Sequence, residues 1–130
     1  MLAPKVPLRL IASYDCPRFS ENSASMETRK KSVEIALKNC YITRDICSEQ
    51  MREVKDKAAL EDICQMRREA LVAIPLGESV SKATSLDDFN RLEKEFRKQY
   101  DNLISAVKSF LWDAGPLIRQ SLWLLVEDIM

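Results

Sequence analysis

The stretch from Ser25 to Ile74 contains neither glycine nor proline, and this feature constrains the fold more than any other. It is rich in Glu, Lys, Arg, Ala, Leu and Met, all residues with high helix propensity. The pattern predicts a long amphipathic helix over residues 25–74 that Pro75 and Gly77 end. The apolar register shifts between Asp56 and Ala59, so the pattern is compatible with a helix that bends or splits there.

A helical return follows this first segment. Ser85 with Asp88 three residues later is typical of a helix start, and apolar residues continue at helical spacing. The sequence therefore predicts a loop over 75–84, a helix over 85–112 and a shorter apolar helix over about 116–129. Together these elements indicate an all-α helical bundle, in which the C-terminal helices pack antiparallel to the long one.

Residues 1–24 have a different composition from the rest of the chain. Pro4, Pro7 and Pro17 disfavour a helix in this proline-containing arm. Its apolar content suggests that it packs on the body or on a partner, and a disordered arm is the alternative. Residues 25–130 are predicted to form a single helical domain.

Several functional classes lack the residues they need. The chain has no histidine and two glycines, which excludes Ser-His-Asp and Cys-His catalytic groups and glycine-rich phosphate loops. We therefore expect no enzymatic activity, no cofactor and no metal site. The cysteines Cys16, Cys40, Cys47 and Cys64 form no C-x-x-C pair, and no signal-peptide pattern is present. We expect reduced, mostly buried thiols in an intracellular protein, cytoplasmic or nuclear.

The long segment carries two apolar rows on nearly opposite sides of a helix. At 100° per residue, one side holds Val33, Leu37, Cys40, Cys47, Met51, Val54 and Ala58. The opposite side holds Ile35, Ile42, Ile46, Leu60, Cys64 and Leu71, and we call this set the second row. A helix with two apolar sides is sandwiched, either within its own chain or between its own chain and another.

The two possibilities lead to different functions. If the rest of the chain covers both rows, the second row is structural. If it does not, the chain is a protein-interaction module that self-associates or docks as a subunit through that row. Trp112 and Trp123 either close the core or join this interface.

Nucleic-acid binding is the alternative function from a different class. Two short basic clusters, Arg29-Lys30-Lys31 and Arg67-Arg68, could combine across a helical dimer to bind a double strand. Lysines and arginines nevertheless equal aspartates and glutamates at 20 each, and the two signs are interleaved. A solvated surface explains this charge pattern better than a phosphate-binding stripe does.

Overall fold

A computed structural model describes residues 14–15, 19 and 25–112, and within them the fold is all-α, as predicted. Three helices follow one another, α1 over Met26–Gln50, α2 over Lys57–Lys82 and α3 over Leu86–Trp112. The middle helix α2 packs along both of the others. Contacts between α1 and α2 run in opposite chain directions, whereas those between α1 and α3 run in the same direction. The helices therefore form an up-down-up bundle.

The helix predicted over residues 25–74 is two helices. After Gln50 the backbone hydrogen bonds are those of tight turns. The Arg52 amide donates to the Glu49 carbonyl, and the Glu53 amide donates to the Gln50 carbonyl. Asp56 then caps α2, because its carboxylate accepts a hydrogen bond from the Ala59 amide at 2.9 Å. The break over residues 51–56 thus ends at the predicted register shift.

The predicted helix end at Pro75 and Gly77, with a loop over 75–84, is wrong. Helix α2 continues to Lys82, because residues on both sides of Pro75 are buried against the neighbouring helices. Pro75 itself is exposed. Gly77 is buried, and an added Cβ atom would lie 2.8 Å from Leu37 Cδ1 and 2.9 Å from Phe96 Cε1. Glycine therefore permits a close three-helix contact here.

The predicted start of α3 is confirmed. The Ser85 hydroxyl accepts a hydrogen bond from the Asp88 amide at 3.2 Å, and the Ser85 carbonyl accepts one from Phe89. The apolar stripe of α3 faces the core, where the Phe96 and Tyr100 rings stack at 6.0 Å. The largest fully buried side chains of the described residues are Val33, Ile63, Met66, Phe89, Phe96, Tyr100, Leu103 and Ile104.

A buried ion pair joins Arg29, in the first turn of α1, to Glu93, which lies seven residues after the start of α3. Arg29 and Glu93 are 4% and 5% exposed, and two hydrogen bonds of 2.6 and 3.1 Å connect the guanidinium to the carboxylate. Arg29 also donates to Asn90 Oδ1 at 2.8 Å and lies over the Phe89 ring at 4.8 Å. These contacts hold α1 and α3 parallel at one end of the bundle.

Two predicted segments lie wholly or largely outside the described residues. The third predicted helix, over about 116–129, lies entirely outside them. Of the arm over 1–24, the structure describes Tyr14, Asp15 and Phe19, and all three contact the helices.

Candidate functional site

The first apolar row forms much of the α1 contribution to the core. Val33, Leu37, Cys40 and Cys47 are buried. Further along the row, Met51 and Val54 are half-buried in the α1–α2 connection, and Ala58 is exposed.

The α1 half of the second row lies beside the arm. Ile35, Ile42 and Ile46 share a helix face with Asn39. Ile35 lies four residues before Asn39, and Ile42 and Ile46 lie three and seven residues after it. The Asn39 side chain contacts Asp15 of the arm. Ile46 is buried in the core, whereas Ile35 and Ile42 are half-buried.

The α2 half of the second row borders the groove between α1 and α2. Leu60, Cys64 and Leu71 share a face with Arg67, whose Nε donates to Ser48 Oγ at 2.8 Å. Leu60 and Cys64 are half-buried, and Leu71 is exposed. Because the chain reverses direction between the two helices, the second row is not one continuous stripe in the structure.

An exposed apolar patch lies on the outer surface of α2. Leu71 is 40% and Val72 49% exposed, and the exposed Pro75 lies one turn further on. We call Leu71, Val72 and Pro75 the α2 patch. Leu86, at the start of α3, is the one other exposed large hydrophobic residue in the described part of the chain. Val72 belongs to neither predicted row, so helical periodicity gave no reason to select it.

A buried polar network crosses the groove between α1 and α3. Asn39 Oδ1 accepts from the Asp15 amide at 3.1 Å, and Asn39 Nδ2 donates to the Asp15 carbonyl at 2.9 Å. The same Nδ2 donates to the Tyr100 hydroxyl at 3.0 Å. Thr43 lies one turn beyond, hydrogen-bonded to the Tyr14 hydroxyl and to the Asn39 carbonyl. In the described residues, every buried side-chain polar atom has a hydrogen-bond partner.

Two aromatic side chains anchor the arm on this groove. Tyr14 is 9% exposed, and burial raises the pKa of its hydroxyl well above the ordinary value. The rings of Phe19 and Tyr100 make a T-shaped contact with their centroids 6.1 Å apart, and the Arg97 guanidinium lies 4.7 Å from the centre of the Phe19 ring. At the surface, Lys38 Nζ pairs with the Asp15 carboxylate at 3.0 Å.

The helical periodicity of apolar residues does not identify this network, although one signal for it is present in the sequence. Asn39 and Thr43 are polar and four residues apart, on a face of α1 next to the buried Cys40. Polar side chains on a core-facing surface require hydrogen-bond partners, and here the arm and Tyr100 supply them.

The candidate nucleic-acid residues are not gathered on one surface. Arg29 is buried in its ion pair, and Lys30 Nζ donates to the Ala83 carbonyl at 2.6 Å. Arg67 is bound to Ser48, which leaves Lys31 and Arg68 as the exposed members of the set.

Two of the described cysteines, Cys40 and Cys47, are buried in the core. Burial raises the pKa of the Cys40 and Cys47 thiols to about 12, so neither is a thiolate near neutral pH. A groove of about 1010 Å³ between the start of α1 and residues 86–101 of α3 is lined by residues of both charges, including Lys98 and Asp101. No three His, Cys, Asp or Glu side chains come together in residues 14–15, 19 and 25–112 to hold a metal.

Trp112 is the last residue of α3, and Trp123 lies outside the described residues. None of the three described helices is both long and apolar enough to cross a membrane.

Comparison of this chain with protein-family models, with curated protein sequences and with solved structures finds no match.

Proposed function

We propose that this chain is a non-enzymatic protein-interaction module that self-associates through the α2 patch. The observation that carries the proposal is the exposure of two adjacent large apolar side chains, Leu71 and Val72, near the middle of the central helix. Association would remove these side chains from water, which is the dominant favourable contribution in most protein–protein contacts.

The polar residues around the patch favour an antiparallel pair of α2 helices. Arg68 precedes the patch by one turn, and Ser79 follows it by one turn. A parallel pair would place Arg68 against Arg68 of the second copy, which is repulsive. An antiparallel pair places Arg68 opposite the Ser79 hydroxyl, which can accept a hydrogen bond. The same surface patch then serves both copies, as a two-fold interface requires.

Light scattering coupled to size exclusion, over a range of protein concentrations, tests this proposal. The wild-type chain is expected to move from monomer to dimer as its concentration rises. Val72→Glu is expected to weaken the dimer by about 100-fold or more, because each copy would bring a carboxylate into the apolar contact. Ser105→Glu, an equally acidic change at an exposed position of α3, is the matched control and should leave the dimer intact.

Circular dichroism on the same samples separates association from folding. Val72 is half exposed, so Val72→Glu should keep the wild-type helical signal. In contrast, Ile46→Asp would place a charge in the core and should unfold the chain, so it cannot report on association. A wild-type chain that stays monomeric at the highest concentration contradicts the proposal. So does a Val72→Glu variant that dimerises as well as wild type.

A further inference from the structure

We propose that the groove between α1 and α3 is a binding site for an extended peptide, and that the arm of this chain occupies it in cis. The site is distinct from the α2 patch and does not depend on self-association. Its partner would carry a Tyr-Asp pair with a phenylalanine four residues after the Asp, as Tyr14, Asp15 and Phe19 do here.

Asn39 holds the main chain of Asp15 through two hydrogen bonds. The side-chain amide accepts from the Asp15 N–H and donates to the Asp15 C=O, at 3.1 and 2.9 Å. This two-bond pattern is the one that a neighbouring β-strand offers to an extended residue. It contacts the main chain alone, so it would bind any extended segment whose side chains fit the rest of the groove.

The rest of the groove selects the side chains. A tyrosine is favoured at the first position, because its ring is buried and its hydroxyl reaches Thr43. Lys38 favours an acidic residue at the second. An aromatic ring is favoured five residues after the tyrosine, where Phe19 lies between Tyr100 and the Arg97 guanidinium.

The helices supply the groups that contact Tyr14, Asp15 and Phe19. Asn39 and Thr43 are fixed on α1, and Tyr100 and Arg97 are fixed on α3. The Asn39–Tyr100 bond orients the amide and does not involve the arm. A groove that is already assembled in this way loses little conformational freedom when a peptide binds.

The tethered arm competes with any partner for the groove. A short tether gives a segment an effective concentration of about 1 mM at its own site. A free peptide of the same sequence with an intrinsic Kd of about 10 µM would then bind the wild-type chain about 100-fold more weakly. Weakening the arm should therefore reveal the site.

Fluorescence polarisation with the full chain tests the site. The probe is a labelled peptide of residues 10–22 in which serine replaces Cys16, so that no disulfide can form. A Tyr14→Ala, Phe19→Ala double variant is expected to bind the probe about 100-fold more tightly than wild type. A third change, Asn39→Leu, should abolish that binding, and so should alanine at both aromatic positions of the probe.

A folded double variant that does not bind the probe would overturn the proposal, and so would binding that survives Asn39→Leu. A second measurement applies if the double variant does not fold. Unlabelled peptide at millimolar concentration is titrated into the ¹⁵N-labelled wild-type chain. The backbone amide of Asp15 should shift as the arm is displaced. Its failure to shift would equally refute the site. A chain that binds the probe but remains monomeric supports the peptide site while contradicting self-association.

Discussion

Arg29 and Glu93 form a contact in which each group depends on the other. Both are buried, and Arg29 also bonds Asn90 and lies over Phe89. Arg29→Met is expected to lower the free energy of unfolding by about 3–5 kcal/mol, because it leaves the Glu93 carboxylate buried without its cation. Urea unfolding followed by circular dichroism measures the loss. Arg68→Met, at an exposed arginine on α2, is the matched control and should change stability by less than about 0.5 kcal/mol.

Removing both charges tests whether the stability lost in Arg29→Met comes from the unpaired Glu93 carboxylate. The Arg29→Met, Glu93→Leu double variant should recover most of the lost stability, because an apolar pair has no buried charge to compensate. A single Arg29→Met variant that is as stable as wild type would show that the pair contributes nothing.

The sequence could not show that Arg29 is buried. It stands in an Arg-Lys-Lys run that resembles a basic cluster, and its partner lies 64 residues further along the chain. The same limit applies to Asn39, whose partners are Asp15 and Tyr100. Local patterns identify apolar faces, but they do not identify which distant residue completes a polar contact.

At the scale of elements, local signals located some helix boundaries and not others. The start of α3 was predictable because the Ser85 hydroxyl caps the Asp88 amide, three residues away. The start of α2 was partly predictable from the register shift at Asp56. The continuation of α2 through Pro75 was not predictable from the sequence, because packing on α1 and α3 outweighs the low helix propensity of proline.

Pro75 therefore costs α2 stability without contributing to the core. Its nitrogen cannot donate to the Leu71 carbonyl, and its ring is exposed. Pro75→Ala is expected to raise the free energy of unfolding by about 1–3 kcal/mol, which thermal unfolding at low protein concentration would detect. The comparison variant is Gly77→Ala, in the same helix. It should lower stability despite the better helix propensity of alanine, because its Cβ would meet Leu37 and Phe96 within 3 Å. A Pro75→Ala variant that melts below wild type would contradict this account of α2.

The whole molecule is expected to lose stability at alkaline pH. Burial raises the pKa of the Cys40 and Cys47 thiols from 9.0 to about 12, and it raises the pKa of Tyr14 as well. Above pH 9 for the thiols, and above pH 10 for the tyrosine, the unfolded chain releases these protons while the folded chain retains them, so the unfolded state is increasingly favoured. Each thiol should contribute a loss of about 1.4 kcal/mol per pH unit between pH 9 and 12, and none below pH 9.

Urea unfolding at pH 8, 9, 10 and 11 measures this slope. Cys40→Ala removes one of the buried groups and should make the decline shallower by the contribution of one thiol. An unchanged slope in that variant would show that Cys40 does not titrate differently in the two states.

The up-down-up order of the helices bears on how the chain assembles. The pairs that pack most closely, α1 with α2 and α2 with α3, are consecutive, so each forms after the closure of a short loop. Such local topologies fold fast. The groove that holds Tyr14 and Phe19 forms later, because Asn39 and Tyr100 are brought together only once all three helices are in place. The docking of Tyr14 and Phe19 therefore comes at the end of the folding reaction, and these two residues should have φ-values near zero.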